Sequence, residues 1–245
     1  MTTTNDIQWK RIAAEGVAIV VSILLAFGIE AWWQDRNDVI LEQRLVTALL
    51  LEFEQNDELL RQARDVYERQ YADATRVLEV MEKDPATIDA AELEGLVGSL
   101  LAHQTFHLES GAHDGLLASG GMSLIRDETL RNRLAAWPSY AAEWSEEEEA
   151  VFAFVEKALV PYLSGHMRLR NVNRTFPPFP DGQAPLPITG GSNDAAILVT
   201  AATSTEFDNL VYRRAQSLWH AMRDGETLRA QLSEILERIR QNIDE

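Results

Sequence analysis

Residues 12–33 read IAAEGVAIVVSILLAFGIEAWW, and only Glu15 and Glu30 interrupt their apolar character. Wound into an α-helix, this stretch spans about 33 Å, enough for a hydrocarbon core of about 30 Å. Trp9 lies just before it and Trp32 and Trp33 close it, so aromatic rings fall at both edges, where amphipathic rings settle among lipid headgroups. Lys10 and Arg11 stand on the N-terminal side, while Asp35, Arg36 and Asp38 make the far flank net acidic. Positive charge is retained in the cytoplasm. The stretch therefore predicts residues 1–11 as a short cytoplasmic tail, 12–33 as a transmembrane helix, and 34–245 as an extracytoplasmic domain, with the bacterial inner membrane as its place and the periplasm around the large domain. A cleaved signal peptide is the competing reading, because Ala26-Phe27-Gly28 offers small residues at a suitable separation. Helical periodicity continues past that point, which favours the anchor. A buried soluble helix would need a core on every side of it.

Within the span, Ala14, Ala18, Ser22 and Ala26 recur every fourth residue, and Glu30 continues the row. Small side chains at that spacing let two helix backbones approach closely. A homodimer packed through this face is one expectation, and a monomeric anchor is the other, because alanine is common in such helices and a strict four-residue row drifts by about 40° per step. The two glutamates differ. Helical side chains lean toward the N-terminus, so Glu15 reaches back to cytoplasmic water while Glu30 leans into the bilayer. A small axial shift would place Glu30 in the headgroup layer, where it needs no partner.

The rest of the chain is acidic. The charges before Glu30 cancel, so the formal net charge of -17 sits on residues 30–245. Such a surface repels phosphate, which disfavours nucleic acid as a partner and also a polybasic grip on anionic lipid. The chain has no cysteine, so thiol catalysis, iron–sulfur clusters, disulfides and lipoprotein acylation are all excluded. Other membrane or periplasmic proteins are the expected partners, and no cofactor is expected. At 245 residues, one domain beyond the anchor is the natural plan.

The periodicity is helical throughout. Leu45, Leu49, Phe53, Asn56, Leu60, Ala63, Tyr67, Ala74, Leu78 and Met81 fall at steps of three, four or seven, predicting one rod from the membrane to about Lys83, where Asp84-Pro85 ends it. Asn56 on that seam is either a register-setting group or a core asparagine bonded to a neighbouring helix. Asp89 with Glu92 forms a capping box for a second helix to about Ala102. Residues 103–126 look irregular, with glycines marking turns and a short helical piece from about Asp114 to Ser119. Asp127 caps a helix that Pro138 should kink or split. A separate helix from about Ser145 to Leu163 would start with the acidic run Glu146 to Glu149, solvated at the positive end of its dipole. Residues 170–192 hold five of the eight prolines and read as a loop. A last helix runs from about Thr205 to Ile243, with Gly225 as a bending point. The predicted fold is all-α: one N-terminal transmembrane helix continuing into a soluble helical bundle.

The chemistry-bearing residues concentrate in 103–126. His103 and His107 share a face if they are helical, and His113 with Glu109 or Asp114 would complete a metal site. No HExxH frames them, glycines separate the third histidine, and histidines at helix ends and turns usually bond carbonyls or pack, so the expectation is a structural role. Ser119-Gly120-Gly121 places a hydroxyl beside backbone donors without the G-x-S-x-G elbow. Trp137, Trp144 and Trp219 read as core or interface aromatics.

Several stretches together carry a resemblance. They are Glu15 through Gly28-Ile29 to Trp33, Leu45 to Asn56, LLASGGMSLIRDETLRNRLA at residues 116–135, and the helix opening FDNLV at Phe207. This pattern resembles an uncharacterised family of bacterial single-span membrane proteins with a helical domain after the anchor. Ala31-Trp32 departs from it. The resemblance implies topology and an all-helical fold, and brings no activity with it. With no catalytic motif, the expected function is a membrane-anchored interaction or scaffold protein. The alternative is a sensory or ligand-binding helical domain, which would have to signal through a partner because so few residues lie on the cytoplasmic side.

Overall fold

The computed structural model describes residues 4–169 and 195–244, and those residues form helices without a strand among them. The proline-rich loop expected at 170–192 lies outside the described residues. The first helix, α1 (Thr4–Met81), is unbroken over 78 residues. Trp9 and every side chain from Arg11 to Asn37 are exposed, and buried residues begin at Val46. One helix thus carries two surfaces: an exposed apolar one and, further along, the seam of a packed core. Asp84 ends the region by accepting the Ala86 N–H at the head of a short 3-10 turn, Pro85–Thr87.

Helix α2 (Ala90–Leu101) starts at Asp89, whose carboxylate accepts the N–H groups of Ala91 and Glu92. The expected capping box is only half made. The Glu92 carboxylate accepts from Arg76 of α1 instead. After an extended strap come α3 (Gly111–Ala118) and a 3-10 turn, Gly121–Leu124. Gly120 joins them with φ 71°, a left-handed conformation that favours glycine. A Cβ on Gly121 would come within 2.9 Å of Leu116 Cδ1. The two glycines therefore serve a tight turn.

Helix α4 (Glu128–Phe154) corrects two expectations at once. It begins at Asp127, which accepts from Thr129 and Leu130 as expected, but it runs through Pro138 without splitting and has no new start at Ser145. A proline inside a helix leaves the carbonyl four residues earlier without its N–H partner. Here that carbonyl is Leu134 O, and the Nε2–H of buried His113 donates to it at 2.8 Å. A side chain from α3 thus replaces the missing backbone bond. The chain continues through a π-helical turn, Val155–Leu159, into α5 (Val160–His166). In that turn the Val160 N–H reaches back five residues to Val155 O, immediately before Pro161. Helix α6 (Ala195–Ala202), for which no sequence expectation existed, and α7 (Thr205–Asp244) complete the described fold.

α7 lies antiparallel to α1, as the ion pairs Arg64–Glu226, Asp57–Arg229 and Glu54–Arg240 show. α4 packs on α7, and α2 on α1. Two apolar clusters follow each other along this axis. The first joins Leu49, Phe53 and Leu60 of α1, Leu134, Trp137 and Trp144 of α4, and Leu218, Leu232 and Ile239 of α7. Phe53 and Trp137 meet at 4.9 Å between ring centroids, and each buried side chain of this size contributes about 2–3 kcal/mol of transfer free energy. The second cluster joins Ala74, Val77, Val97, Leu159, Phe207 and Val211. Apart from Asn56, the seam residues of α1 lie in or against these clusters, as does the apolar stripe of α7 formed by Phe207, Val211, Leu218, Leu232 and Ile239.

Candidate functional site

Between the two clusters lies a buried polar layer. Tyr67 and Gln70 come from α1, Glu148 from α4 and Arg214 from α7, and all four are buried. The Tyr67 hydroxyl donates to Glu148 Oε1 at 2.6 Å, and the Phe106 N–H donates to the same carboxylate at 3.2 Å. Arg214 Nη2 donates to Gln70 Oε1 at 3.0 Å and to Ala102 O at 2.9 Å. Its Nε and Nη1 are buried with no hydrogen-bond partner among the described residues.

This layer overturns the reading of Glu146 to Glu149 as a solvated helix start. Because α4 is continuous, Glu148 falls mid-helix on the face turned inward. Burial pushes its carboxyl up to about 7, against the opposing pull of the Tyr67 hydroxyl and the Phe106 amide. Burial also raises Tyr67, which its bond to Glu148 reinforces. Arg214 is brought down to about 10 by burial, with Tyr67 acting in the other direction. Arg214 therefore remains a cation at neutral pH, while Glu148 titrates close to it. Glu148 lies one turn past Trp144 and one turn before Val151, both members of the first cluster, so it is a lone acid on the apolar face of α4.

The strap, residues 102–110, has no regular structure and is held by side chains. The Asn56 amide forms a reciprocal pair with Glu109, accepting its N–H at 2.7 Å and donating to its carbonyl at 2.8 Å. Asn56 thus bonds extended backbone rather than a neighbouring helix. The Glu52 carboxylate, also buried on α1, accepts the N–H groups of Ala112 and His113 at the start of α3. Nothing in the seam periodicity singled out Glu52.

The three histidines are not brought together. His103 and His107 stand on the strap, not on a helix, so their four-residue spacing places them on no common face. His103 Nδ1 contacts Leu101 O at 3.1 Å and its ring meets Phe152 edge-on. His113 is buried against Leu134 O and lies 3.8 Å from the Asp114 carboxylate. Among the described residues no three histidine or acid side chains converge to hold a metal ion. The Ser119 hydroxyl donates to Leu116 O at 3.2 Å, a turn contact.

Trp137 and Trp144 are core residues. Trp219 is not: it is 45% exposed and, with Tyr71, Leu78 and Tyr212, lines a groove of about 430 Å³ between α1 and α7. The Arg223 guanidinium stands over the Trp219 ring at 5.6 Å. On the apolar stretch, Ala14, Ala18, Ser22, Ala26 and Glu30 are all exposed, and the Ser22 hydroxyl donates to Ala18 O at 2.8 Å within its own helix. No family model, curated protein or solved structure matches the chain.

Proposed function

We infer that the chain is a membrane-anchored, non-enzymatic interaction protein of a bacterial envelope, with its N-terminus in the cytoplasm and its helical body outside. The observation that carries the reading is the double character of α1. Its apolar stretch has no protein around it, yet the same helix forms the spine of the core further on. A soluble protein gains nothing from displaying such a helix, whereas lipid covers it. The resemblance carried together by Glu15 to Trp33, Leu45 to Asn56, residues 116–135 and the FDNLV opening at Phe207 implies the same topology. For the interaction, the groove of Tyr71, Tyr212 and Trp219 supplies exposed aromatic rings beside an arginine, the residue types that dominate protein–protein contacts.

The test is co-purification of the detergent-solubilised full chain with its neighbours, parent against Tyr212→Ala with Trp219→Ala. Both residues are exposed, so the fold should hold while a specific partner is lost. Identical sets of co-purifying chains would set the groove aside. Pairing of two anchors through Ala14, Ala18, Ser22 and Ala26 is a separate part of the reading, and Ala18→Leu should weaken it more than Val21→Leu in a bilayer association assay. A second reading, a sensory body signalling through a partner, is favoured by the buried layer around Glu148, whose carboxyl, hydrogen-bonded to Tyr67 and the Phe106 amide, titrates near neutral pH.

A further inference from the structure

The apolar stretch of α1 closes at Trp33, and the first residues the body partly covers are Asp38 and Val39. The five residues from Trp33 to Asp38 rise about 7.5 Å. The headgroup layer adds about 5–7 Å on each side of the hydrocarbon core. Given the anchor proposed above, on which this inference rests, the body begins where the headgroup layer ends.

Hydrogen bonds fix that level. The Arg126 N–H donates to Glu42 at 2.7 Å, and the Arg126 guanidinium reaches Asp35, two residues past Trp33, at 2.6 Å. The far end of α7 arrives at the same place, because Asn242 donates to Asp127, the next residue, at 3.1 Å. α3 descends toward it from its start at Glu52. This end of the body exposes aliphatic side chains on three separate elements: Leu41 is 44% exposed, Leu117 42% and Ile243 40%. Three arginines near this end stand beside acids, Arg126 by Asp35, Arg238 by Asp127 and Arg240 by Glu54, while Arg36 and Arg44 of α1 are exposed at the same level. Aliphatic side chains beside long cationic ones suit a lipid interface, where the chains bed among headgroups and the guanidinium groups stay in their polar layer. A tilt of about 20° would lower a side chain standing about 12 Å from the helix axis by about 4 Å, which is enough to enter the headgroups.

We propose that this end of the body is a bilayer-contact surface: Leu41, Leu117 and Ile243 bed in the headgroup layer and hold the body leaning on the membrane that anchors it.

The chain has no cysteine, so single-cysteine variants of the full-length protein can each carry one environment-sensitive fluorophore. Labels at Leu117, Ile243, Ser22 in the span and Glu82 at the far end are compared in phosphatidylcholine vesicles containing nitroxide lipids. The expected result is that a mid-chain nitroxide quenches the Ser22 label, and a headgroup nitroxide removes at least half of the emission at Leu117 and Ile243 while sparing Glu82. If Ser22 is quenched and the labels at Leu117 and Ile243 behave like that at Glu82, the anchor stands and the contact surface is overturned. If Ser22 escapes quenching, the anchor itself falls and the contact surface with it. A label at exposed Ser123, beside Arg126, tests the same surface without altering an apolar residue in the parent chain. Its headgroup quenching should disappear on adding Leu117→Glu and Ile243→Glu, and quenching that persists in that variant overturns the role of these side chains.

Discussion

Replacing Glu148 with glutamine should remove a specific pH dependence from the stability of the protein. Glu148 is buried between the Tyr67 hydroxyl and the Phe106 amide, and burial moves its carboxyl from the ordinary 4.5 to about 7. Below pH 4.5 the group is neutral in folded and unfolded chains alike and carries no penalty. As pH rises through this interval the unfolded chain ionises first, so the folded state loses stability, and the loss is complete once pH passes 7. Working through the two values, the penalty is about 1 kcal/mol at pH 5 and about 3 kcal/mol at pH 8. Glutamine matches the neutral acid in shape and keeps an acceptor for Tyr67, so Glu148→Gln should resemble the parent at low pH and gain on it above neutrality. The assay is urea unfolding of both full-length chains in a neutral detergent at a series of pH values, followed by tryptophan fluorescence, to which core Trp137 and Trp144 contribute. Taking the difference between the chains at each pH cancels every other titrating group. The parent should lose about 2–3 kcal/mol relative to Glu148→Gln between pH 5 and pH 8. A difference that stays flat, or that moves in the parent's favour, would show that Arg214 compensates the buried carboxylate and would refute the desolvation argument.

Asn56→Ala removes both bonds to Glu109 and leaves two backbone groups of the strap unpaired, so about 2–4 kcal/mol should be lost in denaturant unfolding, with faster amide exchange at residues 106–109. His113→Phe should cost about 1–3 kcal/mol by orphaning Leu134 O. That cost should shrink by about 1 kcal/mol or more in a Pro138→Ala background, where the helical N–H is restored, and a simply additive double variant would contradict the repair. Arg214→Met removes the desolvation cost of a buried guanidinium with two nitrogens unpartnered among the described residues but leaves Gln70 Oε1 and Ala102 O without their donor. About 1–3 kcal/mol should therefore be lost in thermal unfolding, and a gain in stability would show that desolvation outweighs those two bonds.

The parts of this fold that the sequence announced are those governed by local rules. Asp89 and Asp127 cap the helices they precede because a carboxylate at that position meets free N–H groups whatever the rest of the chain does. The seam of α1 and the stripe of α7 follow from a period of 3.6 residues. The failures are tertiary. Pro138 should interrupt a helix, and α4 persists because His113, 25 positions earlier in the sequence, supplies the missing bond. The acidic run SEEEE looked like a helix start because the dipole favours acids there, and only the continuity of α4 reveals that Glu148 turns inward. The candidate site was the least legible part: the histidines of 103–126 carry the visible spacing, whereas Glu52, Asn56 and Glu148 hold that segment by its backbone, a role that leaves no spacing to read.

The unbroken course of α1 has a mechanical meaning. From Trp33 to Met81 it is a shaft of about 72 Å with no hinge in it. A flexible linker would let the body forget the orientation of its base, but a rigid shaft acts as a lever: a change of about 10° at Trp33 sweeps the far tip through about 12 Å. α7 clasps the shaft along its upper length, so the whole assembly would swing as one pointer. Small disturbances at the apolar end would thus be delivered, magnified, to whatever stands near Glu82.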